Sequence, residues 1–111
     1  MASIHVATFC QAARVTRGDG AHLRRQIEQH WNDEEPVVLD FSGVRIASVS
    51  FFDESFGLLA KEHGLNALKT RVRVDHIDAS DRALLNRIVT SRAREREASA
   101  NDTPSTRPSR P

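Results

Sequence analysis

The chain is expected to fold as an α/β domain, a small mixed or mainly parallel sheet with helices packed on it, and three observations lead there. Strand-like and helix-like hydrophobic patterns alternate three times within about 95 residues. The run PVVLDF is continuously apolar, as in a central strand covered on both faces. A length of 111 residues allows one core and hardly two.

The first strand is expected near residue 3, where SIHVATF sets Ile4, Val6 and Phe9 against polar neighbours. TRGDGAHLRRQIEQHW follows, with Leu23, Ile27 and Trp31 at helical spacing and Thr16 and Asp19 spaced as a capping box. Its Arg-Gly-Asp tripeptide opens a helix and is read as helix start, not as an adhesion motif. After the central strand, a helix is expected from about Ser50 to His63, with Ser50 and Asp53 as N-cap and N3 and Gly64 just beyond the end. RVRVDHI alternates Val72, Val74 and His76 with charged residues and reads as a strand near a sheet edge. The last helix is expected after Asp78 or Ser80, on an apolar face of Leu84, Leu85, Ile88 and Val89. Residues 1–96 form the expected domain, and 97–111, rich in Pro, Ser and Thr, an expected disordered tail.

Composition excludes more than it names. A formal charge of +1, divided as −1 over residues 1–90 and +2 over 91–111, gives no global attraction to nucleic acid or membrane. No run approaches the ~20 apolar residues of a membrane span. Cys10 stands alone, so no internal disulfide or cysteine metal site is expected, and a reducing cytoplasm is the expected location. His5, His22, His30, His63 and His76 show no metal-ligand spacing, and no metal or cofactor is expected. Asp53 and Glu54 are adjacent acids about 100° apart on a helix, where a first turn favours negative charge regardless of catalysis. With no nucleophile–base pair and no glycine-rich phosphate loop, no catalytic residue is assigned and no enzyme is expected.

In parallel α/β sheets, functional groups gather where a central strand's carboxyl end turns into the next helix. Here that turn reads VVLDFSGVRIASVSFFDE. Ser50 and Ser48 are the candidate positions for phosphorylation or anion contact, because amides at a helix start favour an anion. In the following helix Phe52, Phe56 and Leu59 form a core stripe, whereas Phe51 and Leu58 lie on a flank. Phe51, Asp53, Glu54 and Leu58 are therefore the candidate partner surface.

The same stretch, VVLDFSGVRIASVSFFDESFGLL, resembles the heart of a STAS domain, the fold of bacterial anti-sigma factor antagonists. It is closer still to the bacterial STAS-like domains of unknown function, through Leu39-Asp40-Phe41, Gly43-Val44, Ser50-Phe51, Asp53-Glu54, Leu59, Gly64 and Arg92. In register from Val44, the position that carries phosphoserine in the antagonists falls on Val49. The resemblance implies a regulatory protein–protein interaction module with a histidine-kinase-like ATPase as partner, docked through this helix and the loop before it, and switched by serine phosphorylation. The alternative is a domain that senses a small ligand, nucleotide or other anion at the strand-to-helix turn around residues 42–51.

Overall fold

The computed structural model describes residues 2–9 and 16–101; Cys10 and residues 102–111 of the expected tail lie outside the described residues. Three short strands, β1 (Ser3–His5), β2 (Val37–Asp40) and β3 (Val72–Asp75), form a parallel sheet in the order β1-β2-β3. His5 stands in register with Asp40, and Asp40 with Asp75, so the three strands end level. β1 is shorter than expected. After His5 the chain tightens into a 3₁₀ turn, Val6–Phe9, which takes Phe9 out of the strand alternation and buries Val6 completely.

Between β1 and β2 runs α1 (Arg17–Gln29). Its capping box forms as the spacing predicts: the Thr16 hydroxyl accepts from the Asp19 amide at 3.1 Å, and the Asp19 carboxylate accepts from the Thr16 amide at 3.0 Å. Leu23 and Ile27 are fully buried, and Trp31, just past the helix, stacks on His63 with ring centroids 4.3 Å apart.

β2 is central, but it is not covered on both faces. Val37, Leu39 and the following Phe41 are buried, while Val38 and Asp40 are only half-buried. Right-handed crossovers between adjacent parallel strands bring both connecting segments to the same face, which leaves the other face open.

The middle helix has three parts: α2 (Val49–Phe52), a π turn (Asp53–Gly57) and α3 (Leu58–His63). The Leu58 amide bonds five residues back to the Asp53 carbonyl. One inserted residue rotates a helix face by about 100°. That rotation brings Phe51 and Phe52 from the upper turn, and Phe56 and Leu59 from the lower, into one core. Buried Ser55 donates its hydroxyl to the Phe51 carbonyl at 2.7 Å inside the irregular turn.

Gly64, at φ +93°, ends α3 where the sequence places a glycine cap. A helix that the hydrophobic pattern did not reveal, α4 (Leu65–Arg71), then leads directly into β3. α5 (Ala79–Asn101) completes the fold and runs past residue 96, where the domain boundary was expected. α1 and α5 flank the middle helix closely. A Cβ on Gly20 would lie 2.5 Å from the Phe51 carbonyl oxygen, and one on Gly57 would lie 2.7 Å from Asp53 Oδ1 and 3.1 Å from Ile88 Cγ2.

Candidate functional site

The carboxyl ends of the strands and the loop from Phe41 to Ser48 form a surface held by side-chain bonds at both ends. Asp40 closes β2, and its Oδ1 accepts from the Ser42 amide at 2.9 Å and the Ser42 hydroxyl at 2.5 Å. This local turn needs only a short carboxylate two residues before the amide it binds. From either side come His76 Nδ1, 3.1 Å from Asp40 Oδ1, and His5 Nδ1, 3.6 Å from Oδ2. The Ser42 hydroxyl and amide, helped by the histidines, lower the Asp40 pKa to about 2. His76 sits at φ +59°, in the left-handed region. Two histidines from separate elements thus converge on one carboxylate, a meeting that in-chain spacing does not reveal.

Gly43, at φ +77°, turns the chain toward α5. There Asp81, only 1% exposed, receives the loop: Oδ2 accepts from the Ile46 amide at 2.6 Å and Oδ1 from the Ala47 amide at 2.8 Å. Ala47 adopts φ +48°, a left-handed conformation costly for a residue with a Cβ. Arg45 adds an exposed contact, donating to the Ser80 hydroxyl at 3.3 Å, with Asp78 3.9 Å away. Asp78 in turn accepts from the Ser80 hydroxyl and amide, which lowers its pKa.

Ser48, not Ser50, caps the middle helix. Its backbone is still extended, and its hydroxyl accepts from the Phe51 amide at 3.1 Å. The helix starts earlier than expected because the Asp81 clamp and the left-handed Ala47 release the chain into helical geometry directly after Ser48. Ser50 therefore lies within the first turn, half-buried. Between the two serines stands Val49, 59% exposed and the large hydrophobic side chain that the described core leaves in solvent.

The expected partner surface changes shape. Phe51 is fully buried and packs edge-on against Phe52 at 5.7 Å, so it belongs to the core, because the π turn rotates its flank inward. Leu58 is half-buried. Asp53 is held by Arg92 through two 2.7 Å bonds, Nε to Oδ1 and Nη2 to Oδ2. The Arg92 bond is the main cause that lowers the Asp53 pKa, and Asp53 raises that of Arg92. Glu54 accepts from Arg17 at 2.8 Å and Arg24 at 3.3 Å, while Arg24 also donates to the Glu54 carbonyl at 2.6 Å. Arg17, then Arg24, lowers the Glu54 pKa against the opposing effect of desolvation. Adjacent on the chain and divergent on the helix, the two acids tie it to α5 and to α1.

Sequence reading missed Asp81, which resembles any acid in a first helical turn, and it missed the pairing of His5 and His76 through Asp40. Asp40 and Arg92 did stand among the residues of the family resemblance, and that was the available signal. Among the described residues, no group of three or more His, Cys, Asp or Glu is placed to hold a metal ion. None of the described helices is long and apolar enough to cross a membrane.

No curated protein and no solved structure matches the chain significantly. A family model described as STAS-like domain of unknown function (DUF4325) matches residues 19–82, from the first turn of α1 through both strand-to-helix turns to just beyond the Asp81 clamp. The match spans more than half of the chain and takes in the π turn, the loop and the acid that pins the loop, so the protein belongs to this STAS-like family.

Proposed function

We propose that the protein is a non-enzymatic regulatory module that docks another protein through the loop Ser42–Val49. The exposure of Val49 carries this reading. A large apolar side chain standing in solvent at the first residue of α2, where a loop held by Asp40, Asp81 and Ser48 delivers it, is a preorganised contact, ordered before a partner arrives. The STAS resemblance supports a histidine-kinase-like ATPase as that partner.

Phosphorylation at Ser48 or Ser50 would place a charge of about −1.5 to −2 on either side of Val49. Asp53 and Glu54, whose like charge would otherwise repel such a group, are already compensated by Arg92, Arg17 and Arg24. Ser48 would forfeit its cap on modification, whereas Ser50 would not, so Ser50 is the better position for a switch. The alternative, an external anion at residues 42–51, has less support because Asp81 already occupies the Ile46 and Ala47 amides.

The test is calorimetric titration of the purified protein against a purified histidine-kinase-like ATPase from the same organism. Val49→Arg is expected to melt within a few degrees of the parent and to lose binding, and Ser50→Asp to weaken it. Equal binding by Val49→Arg would remove the docking surface, and no binding by the parent chain would remove this partner class.

A further inference from the structure

On the helical side of the sheet a crevice of about 210 Å³ opens between α4, β3 and the start of α5. Phe56, Leu68, Val72, Leu85 and Val89 form its floor, all of them buried within the core. At the rim stand Lys69 from α4 and Arg82 from α5, with Asn86 beside them. Both cations are exposed, and neither has a carboxylate partner among the described residues. Among the described residues, no acidic side chain lines the crevice. Their position differs from that of Arg17, Arg24 and Arg92, whose charges are spent on holding the helices together.

An apolar floor with two unpaired cations of the same sign at its mouth is complementary to one kind of small molecule. We propose that the crevice binds a small organic anion with an apolar body, a medium-chain or aryl carboxylate whose hydrocarbon rests on Phe56, Leu68 and Leu85 and whose carboxylate lies between Lys69 and Arg82. The size agrees: the volume falls below the ~300–1,000 Å³ of sites for drug-sized ligands. Occupancy would bridge α4 and α5 across the edge strand, joining two elements between which the described residues form no ion pair. The inference is independent of the docking loop, since none of the residues from Ser42 to Val49 lines the crevice.

The experiment is titration of the isotope-labelled protein with octanoate, read by amide chemical shifts, with octylammonium as the charge-reversed control. Octanoate is expected to bind saturably, with shifts concentrated at Leu68, Lys69, Val72, Arg82 and Leu85, and octylammonium to bind at least tenfold more weakly. The double variant Lys69→Glu with Arg82→Glu changes two exposed side chains; it should keep the fold and lose at least tenfold in octanoate affinity. The milder Lys69→Gln with Arg82→Gln, expected to lose severalfold, serves if charge reversal disturbs the fold. Shifts that do not saturate, shifts centred elsewhere, equal binding of the two amphiphiles, or unchanged affinity in a folded double variant would each overturn the assignment.

Discussion

At the scale of single residues, the loop into the middle helix depends on groups that composition treats as ordinary. Asp81 satisfies two amides, and replacing it with Ala leaves the buried Ile46 amide without a partner. Asp81→Ala is expected to cost on the order of 2–3 kcal/mol, read by urea unfolding, and Asp81→Asn less, since one carbonyl oxygen remains as acceptor. Ala47→Gly runs against the usual trend: at φ +48° glycine removes steric strain, so stability should hold or rise by up to ~1 kcal/mol. The two serines separate cleanly. Ser48→Ala loses the cap and about 1 kcal/mol, whereas Ser50→Ala should change stability by much less; the opposite order would return the cap to Ser50.

At the scale of elements, the middle helix is positioned by two glycine contacts and two sets of ion pairs. Gly20→Ala improves helix propensity by ~1 kcal/mol, yet its Cβ would meet the Phe51 carbonyl oxygen at 2.5 Å. Backbone cannot move aside cheaply, so net destabilisation of about 1–3 kcal/mol is expected, or roughly 4–8 °C in melting temperature for each kcal/mol. A stabilised Gly20→Ala would show that α1 does not approach α2 this closely. The Asp53–Arg92 pair is half-buried and doubly bonded, unlike an exposed ion pair worth ~0–1 kcal/mol. A double-mutant cycle with Asp53→Asn and Arg92→Met should give a coupling of about 1–3 kcal/mol, and a coupling near zero would reduce the clasp to surface decoration.

At the scale of the whole molecule, these contacts predict how the fold responds to acid. The Asp40 pKa falls from its ordinary 3.8 to about 2, and those of Asp53, Glu54 and Asp78 are also lowered. A carboxylate depressed in the folded state contributes stability that is fully present above its unfolded pKa and is lost as pH falls through its folded pKa. The Asp40 contribution is therefore complete above about pH 4 and disappears on the way to about pH 2. Urea midpoints followed from pH 6 to pH 2 should fall across that interval, and Asp40→Asn should fall less steeply. Parallel curves for the two proteins would mean that Asp40 is not held in the folded state by Ser42, His76 and His5.

The sequence by itself determined what depends on neighbours along the chain. The Thr16 cap, the Leu23–Ile27 stripe and the Gly64 terminus were legible there because spacing and local hydrogen bonds specify them, and the motif residues around the β2 turn carried the family. Only the tertiary structure decided the rest. Whether Phe51 faced a partner or the core turned on one extra residue in a π turn, which no periodicity of 3.6 reveals. Whether Ser48 or Ser50 capped the helix turned on Asp81, more than 30 residues away, because its carboxylate fixes where the loop ends. The meeting of His5, Asp40 and His76 likewise required three parallel strands to end level, since strand register, unlike helix spacing, is set by partners distant in the chain.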